Sequence, residues 1–258
     1  MFRNRQTYSV RHIKRLFAIM LLVMAPSFGS AQGEVVEPTI VALFGDSITL
    51  GYNLAYSQAV IGDGTIDHGL PTIELNVLLN ESEPKRTSIV SNWGHGSTNS
   101  GHGAARIYED LEDLDSRYSS SNKFVLIIYG TNDAAFGITT STTRFNTEMM
   151  IDEARLLGYE PIIGTLTPVS NRNVQPRNAQ ITLAASSRNA FLVDHYARFI
   201  SEPGGWTQLI ELDGGVRLHP NNTGYRVIAE TWFEQRLEEL IPIDKSHTTM
   251  GAIILLLL

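Results

Sequence analysis

The sequence predicts an α/β protein built on a doubly wound, five-stranded parallel sheet with helices on both faces. Five β-branched-rich runs recur along the body: TIVALFG (39–45), TSIVSN (87–92), FVLIIYG (124–130), EPIIGTL (160–166) and AFLVD (190–194). They are continuous rather than alternating, the pattern of strands buried on both faces. Segments of helical period lie between them, and repeated strand–helix alternation closes into a parallel sheet covered on both sides. At 258 residues, 43% hydrophobic and 18% charged, the chain has material for one soluble domain with a sizeable core.

The first strand is expected over 39–45. Leu70, Ile73 and Val77 then recur at helical spacing before the second strand. Ala104, Ile107, Tyr108 and Leu111 mark the helix that follows, and Phe145, Met149 and Leu156 the one after the third strand. The last helix opens after Pro220, capped by Asn221 or Asn222, with Tyr225, Ile228, Ala229 and Trp232 on its apolar face. No internal repeat and no second-domain boundary interrupts 38–240. The glycine-rich loop 51–69 is long enough to shape the rim of a site.

The ends differ from the body. Residues 1–31 hold no acidic residue and five basic ones, the last at Arg15, after which come the apolar run Leu16–Ala25 and small residues Gly29 and Ala31 at −3 and −1 of a cut after Ala31. This is the layout of a secretory signal peptide, so the expectation is an exported protein with a mature chain from residue 32, joined to the domain by a short linker, 32–37. The apolar run is too short for a comfortable membrane span, and no stable span is expected. Beyond residue 240 a tail, 241–258, ends in MGAIILLLL. As a helix that run would reach only about 13 Å; an anchoring or sorting tail and an apolar end packed on the body remain open readings.

Charge narrows the partners. Without residues 1–31 the chain carries 15 basic against 27 acidic residues, a net −12. Such a body offers no electrostatic footprint for nucleic acid and is repelled by anionic lipid. The absence of cysteine excludes disulfides, thiolate metal sites and cysteine nucleophiles.

In a doubly wound sheet the chemistry sits beyond the carboxyl ends of the strands. The first strand ends in GDSIT with Ser47, the second in NWGHGST with Gly94 and Gly96, the third in GTND with Asn132, and His219 lies in LHPNNTGY just before the final helix. These are the parts of an acyl-transfer site. A serine hydroxyl needs a positioned base, and neutral imidazole is the usual one. The oxyanion of the tetrahedral intermediate needs converging donors, which a glycine N–H and an asparagine amide supply. Each piece alone is a weak signal, since loop serines, turn glycines and lone histidines are mostly structural. Their occurrence on three successive strand ends, with the histidine last, carries the reading.

On these blocks the sequence resembles the SGNH (GDSL) hydrolases over about residues 38–240. The resemblance implies a flavodoxin-like SGNH fold, with Ser47 as nucleophile and His219 as general base. It also implies an oxyanion hole formed by the Ser47 backbone N–H, Gly96 and Asn132. Gly96 is preferred to Gly94 because Ser97-Thr98 follows it, and no G-x-S-x-G elbow points to the other large α/β serine hydrolase family.

One position departs from the pattern: the family aspartate three residues before the histidine is here Val216. The nearest upstream carboxylate is Asp213, in DGGVRLH, which reaches His219 if Gly214 and Gly215 loop out at positive φ. A backbone carbonyl holding the imidazole is the alternative.

Asp63, Thr65 and Asp67 resemble a fragment of a calcium loop without its bidentate glutamate, and a solvated loop is the expectation. His95 and His102 flank a glycine-rich segment without zinc-ligand spacing to carboxylates. Trp93, Trp206 and Trp232 are candidates to line a sugar or acyl pocket, with core packing the default for Trp232.

The expected activity is hydrolysis of a carboxylic ester through a Ser47 acyl-enzyme, with no metal or organic cofactor and a small-molecule or polysaccharide ester as partner. Both a carbohydrate O-acetyl esterase and a lysophospholipase- or thioesterase-like lipolytic enzyme fit the resemblance, and the pattern GYRVIAETWF, with export, leans toward the former. Rival readings are a non-catalytic carbohydrate- or surface-binding protein on a degenerate scaffold, motivated by Val216, and a nucleotide or flavin binder. The last ranks lowest because the first loop presents Asp46 and no lysine. Oligomeric state is not legible.

Overall fold

The computed structural model describes residues 37–52, 64–66 and 69–244. The signal-peptide reading, most of the linker, the calcium-loop fragment at 63 and 67, and the apolar run at 250–258 lie outside them. Strands β1 (Thr39–Gly45), β3 (Ser88–Gly94), β4 (Lys123–Ile128), β5 (Glu160–Gly164) and β6 (Phe191–Val193) form the expected five-stranded parallel sheet. A two-residue strand, β2 (Thr65–Ile66), pairs antiparallel on one edge, giving the order β2-β3-β1-β4-β5-β6.

All seven residues of β1 are buried, as a strand at the centre of a covered sheet requires. Because β3 lies on one side of β1 and β4 on the other, the chain reverses its winding direction there, the place where such sheets open a crevice. The register aligns Gly45 with Gly94 and with Ile128, so the three strand ends that carry Ser47, Gly96 and Asn132 finish level.

Helix α1 (Ser47–Leu50) follows β1; α2 (Leu70–Asn76) continues through a π turn to Glu81; α3 (Ser100–Arg117) and α4 (Thr140–Leu156) follow β3 and β4. Helices α5 (Gln175–Ser187) and α6 (His195–Ile200) flank β6, and α7 (Asn222–Trp232) closes the domain. The cap of α7 is Asn221, whose Oδ1 accepts the Gly224 N–H at 2.9 Å, and Tyr225, Ile228, Ala229 and Trp232 are all buried.

Helix α4 forms where Phe145, Met149 and Leu156 mark it, but these residues do not line its inner face. Phe145 and Leu156 are exposed, and the buried side is Thr143, Asn146, Thr147, Met150, Ile151 and Ala154. Its first two turns pack polar groups against a buried carboxylate, described below, which removes the apolar period there.

One histidine belongs to the core rather than to any site. His195 is fully buried edge-on to Trp232, at 4.5 Å between ring centroids, and neither ring nitrogen has a hydrogen-bond partner among the described residues. Burial drives its pKa down to about 3. The folded state therefore holds it neutral while the unfolded chain protonates it below about 6.5, so stability is full above that pH and is lost as pH falls toward 3. This group alone is expected to remove about 2 kcal/mol between pH 7 and pH 5. Urea unfolding of wild type and His195→Gln at the two pH values checks it: the variant, though less stable at pH 7, should show a flatter pH dependence. Asp46 acts oppositely: burial raises its carboxyl to about 7, so its contribution is full at low pH and is lost as pH rises from about 4 to 7.

Candidate active site

Ser47 is the first residue of α1, so its backbone N–H has no intrahelical partner. Asp46 caps the helix, with Oδ1 accepting the Ile48 N–H at 3.0 Å. The approach of β3 to α1 depends on Gly94: a Cβ there would lie 2.2 Å from the Leu50 backbone nitrogen. Buried Asn92 joins the two, accepting the Gly94 N–H and donating to Thr49 O and Thr72 Oγ1, all at 2.9 Å. Gly94 is thus a packing glycine, and Gly96 lies in the turn beyond it. The Gly96 amide donates no hydrogen bond to the described residues.

The turn is held from both ends. His95 N–H donates to Gly45 O at 2.9 Å, and Thr98 Oγ1 binds His95 O and the Tyr129 hydroxyl, each at 2.7 Å. Asn132 Nδ2 donates to Thr98 O at 2.9 Å. A primary amide has two N–H groups, so one fixes the side chain against the glycine turn and the other remains to donate. Next to it, Asp133 is fully buried; its Oδ1 accepts the Ser100 N–H at 2.8 Å, and its Oδ2 accepts Ser100 Oγ at 2.7 Å and Thr143 Oγ1 at 2.5 Å. Ser100 Oγ in turn accepts from Asn146 Nδ2 at 2.8 Å. This hub fastens the β4 end to the first turns of α3 and α4. Sequence reasoning passed over it, although GTND contains the residue.

His219 arrives on a hairpin that the sequence reading did not anticipate. Strands β7 (Ile210–Asp213) and β8 (Val216–Pro220) pair antiparallel around Gly214 and Gly215, at φ 55° and 85°. Two central residues at positive φ make the tight hairpin turn that Gly-Gly favours, and DGGV was its sequence signal. Ile210 pairs with Pro220 and Leu212 with Arg217, so Leu218 and His219 together face Glu211 alone. Such a bulge re-aims a side chain. Reciprocal bonds between Ser170 and Arg217, at 2.8 and 3.1 Å, tie this strand to the loop after β5.

The outcome is a contact between residues 172 positions apart: Ser47 Oγ lies 3.0 Å from His219 Nε2. Ser47 is 8% exposed. The Tyr52 ring packs on the imidazole at 4.6 Å between centroids, and the Tyr52 carbonyl accepts the buried Tyr225 hydroxyl at 2.5 Å. Burial lowers the His219 pKa below its ordinary value, with the charge of Asp213 acting weakly in the other direction.

The structure does not join Asp213 to His219. The two glycines do turn at positive φ, but they place Asp213 exposed at the hairpin end, paired with Val216. Among the described residues His219 hydrogen-bonds only to Ser47, so neither Asp213 nor a backbone carbonyl holds Nδ1 there. The aromatic ring of Tyr52 is what the imidazole rests on.

Of the three tryptophans, Trp93 and Trp232 are buried in the core. Trp206 is half-buried and lines a solvent-open depression with Arg172, Asn173, Tyr196 and Ile200. Arg172 Nη1 donates to Thr131 O at 2.9 Å, one residue before Asn132, so this depression adjoins the strand end that carries the amide. Among the described residues no group of three or more metal-ligating side chains occurs, and no helix is long and apolar enough to cross a membrane.

Ser47 and His219 thus meet beyond the carboxyl ends of a doubly wound sheet at its switch point, with Asn132 following the neighbouring strand. The family model of the GDSL-like lipase/acylhydrolase family matches residues 43–227, and the chain belongs to that family. No curated protein sequence matches it. Among solved structures it is similar to a catalytic mutant of an acetylxylan esterase from Geobacillus stearothermophilus, at 18% identity and a TM-score of 0.63, over 81% of this chain and 98% of that one. It is also similar to a lipase/acylhydrolase from Enterococcus faecalis, at 21% identity and a TM-score of 0.59 over 80% and 99% of the two chains. A lipolytic protein of the G-D-S-L family from Veillonella parvula aligns at 20% identity with a TM-score of 0.58, over 77% and 98%. These likenesses bear out the fold and the family expectation.

Proposed function

We propose that this protein is an exported serine esterase that removes short acyl groups, acetyl foremost, from a carbohydrate. The observation that carries the serine chemistry is the 3.0 Å contact between Ser47 Oγ and His219 Nε2. Ser47 Oγ attacks the ester carbonyl while His219 Nε2 takes its proton. The oxyanion is received by the N–H groups of Ser47 and Gly96 and by the Asn132 amide. Collapse expels the alcohol, which takes the proton from His219. Water, deprotonated by the same imidazole, then attacks the acyl-Ser47 ester; the C–Oγ bond breaks, Ser47 Oγ takes the proton back from His219, and the carboxylic acid is released.

The carbohydrate reading rests on the depression at Trp206 and Tyr196, where aromatic surface and the polar groups of Arg172 and Asn173 suit a sugar ring. An acetylxylan esterase among the similar folds agrees with it. Export rests on the basic, apolar and small-residue order of residues 3–31. The test is hydrolysis of p-nitrophenyl esters from acetate to long-chain acyl, beside acetylated xylo-oligosaccharides. Activity should fall with acyl length. Trp206→Ala should raise KM for the acetylated oligosaccharide about tenfold and leave p-nitrophenyl acetate nearly unchanged. A long-chain optimum would favour the lipolytic reading.

The base is expected to work without a hydrogen-bonded carboxylate. With its pKa lowered by burial, His219 is neutral at pH 7, so kcat/KM should rise through an inflection below 6.5 and then level off. Asp213→Asn should move that inflection slightly downward and keep kcat/KM within about tenfold, against the roughly 10⁴-fold cost of disabling a hydrogen-bonded triad aspartate. A loss of the larger size would mean that Asp213 reaches the imidazole during turnover. The rival reading of a non-catalytic binding protein draws on the lack of such a partner among the described residues, and turnover that Ser47→Ala abolishes would exclude it.

A further inference from the structure

We propose that His95 and His102 form a chelating site for a divalent transition-metal ion, Zn²⁺, Ni²⁺ or Cu²⁺, bound through His95 Nδ1 and His102 Nε2 beside the glycine turn. These two nitrogens lie 3.3 Å apart, with ring centroids separated by 5.5 Å and planes inclined at 42°. At 3.3 Å the two rings share a long hydrogen bond, beyond the roughly 2.7–3.2 Å of ordinary N–H···O bonds. Two imidazoles bound tetrahedrally to one ion at about 2.0–2.1 Å place their nitrogens about 3.3–3.4 Å apart. The observed spacing matches that of a chelate, so an ion replacing the shared proton would need little change in the separation of the two nitrogens.

Position and chemistry agree with this. His95 ends β3's pairing with β1, immediately before Gly96, and His102 stands in the first turn of α3, its N–H accepted by the capping Asn99 Oδ1 at 3.1 Å. The contact is exposed, so solvent supplies the remaining ligands, and among the described residues no third histidine, aspartate or glutamate completes the set. A pair of neutral imidazoles without carboxylates selects borderline transition metals over Mg²⁺ and Ca²⁺. Arg106, whose charge reaches His102, is itself paired with Asp110. A bound ion would staple the turn carrying Gly96 and Thr98 to α3. The site is independent of the esterase reading.

The test is titration of the untagged full-length protein, stripped with chelator, with ZnCl₂ and NiCl₂ by calorimetry, paired with thermal unfolding. One equivalent should bind and raise the unfolding midpoint. His95→Ala and His102→Ala should each weaken that uptake by about 100-fold, because either change leaves a single imidazole. The exposed His102→Asn variant, with an unchanged circular dichroism spectrum, guards against misfolding. Uptake no stronger than that of free imidazole, uptake unchanged in either variant, or uptake sensitive to only one of the two histidines would overturn the proposal.

Discussion

Ser47→Ala is expected to lower kcat/KM for p-nitrophenyl acetate by about 10⁴-fold or more, and His219→Ala by a comparable factor. The reason is geometric: the two side chains lie 3.0 Å apart, and in the proposed mechanism they act as one proton-transfer unit that loses its function when either end is removed. The double variant should therefore be scarcely worse than either single one, because effects within a unit do not add. Some acceleration should survive if the proposed oxyanion hole of Gly96, Asn132 and the Ser47-position N–H is the one used. Stability should change little for Ser47→Ala, whose hydroxyl makes its one described hydrogen bond to His219. Matched steady-state kinetics and melting curves for the three variants check both halves. Additive losses would mean that the residues act separately.

The second large effect is expected at Asp133. Its carboxylate satisfies the Ser100 N–H and two hydroxyls in a site without solvent, and Arg177 Nε lies 4.0 Å away. Asp133→Ala leaves those donors buried and unpaired, and the loss should be about 3–5 kcal/mol of folding stability. For a domain of this size that is about 10 °C in melting temperature. Activity should fall as well, even well below the transition, because the adjacent Asn132 is aligned by the same strand end. A displacement of about 1 Å there is worth about 10²-fold. Asp133→Asn keeps the shape and lets the hydroxyls reverse roles, so it should recover most of the stability. Urea denaturation, with kinetics at low temperature, separates the two effects; an alanine variant as stable as wild type would remove Asp133 from the account.

What was legible in the sequence follows from where each residue's energy comes from. Strands β1, β3, β4 and β5 are buried on both faces, so their signal is a local run of apolar residues that needs no partner to be read. The cap and apolar face of α7 are local too. Helix α5, QPRNAQITLAASS, was missed because small and polar residues dilute its period. The inner face of α4 carries no apolar signal in its first turns because Thr143 and Asn146 are buried by a network centred on Asp133, not by hydrophobicity.

The site divides in the same way. Ser47, Gly96, Asn132 and His219 each sit at a strand end or beside a helix cap, which made them findable. The surroundings of His219 were not, because they depend on contacts far apart in the chain. Asp213 is near in sequence but is carried to the exposed end of a hairpin by two glycines. Tyr52, in a loop 167 positions earlier, is what touches the ring.

The claim that Ser47 is an activated nucleophile is tested most directly by exposing the full-length protein to a fluorophosphonate and measuring its intact mass, followed by peptide mapping. A single adduct is expected, located on Ser47, absent in Ser47→Ala and formed far more slowly in His219→Ala. A protein that stays unlabelled, or one labelled at another serine, would contradict it.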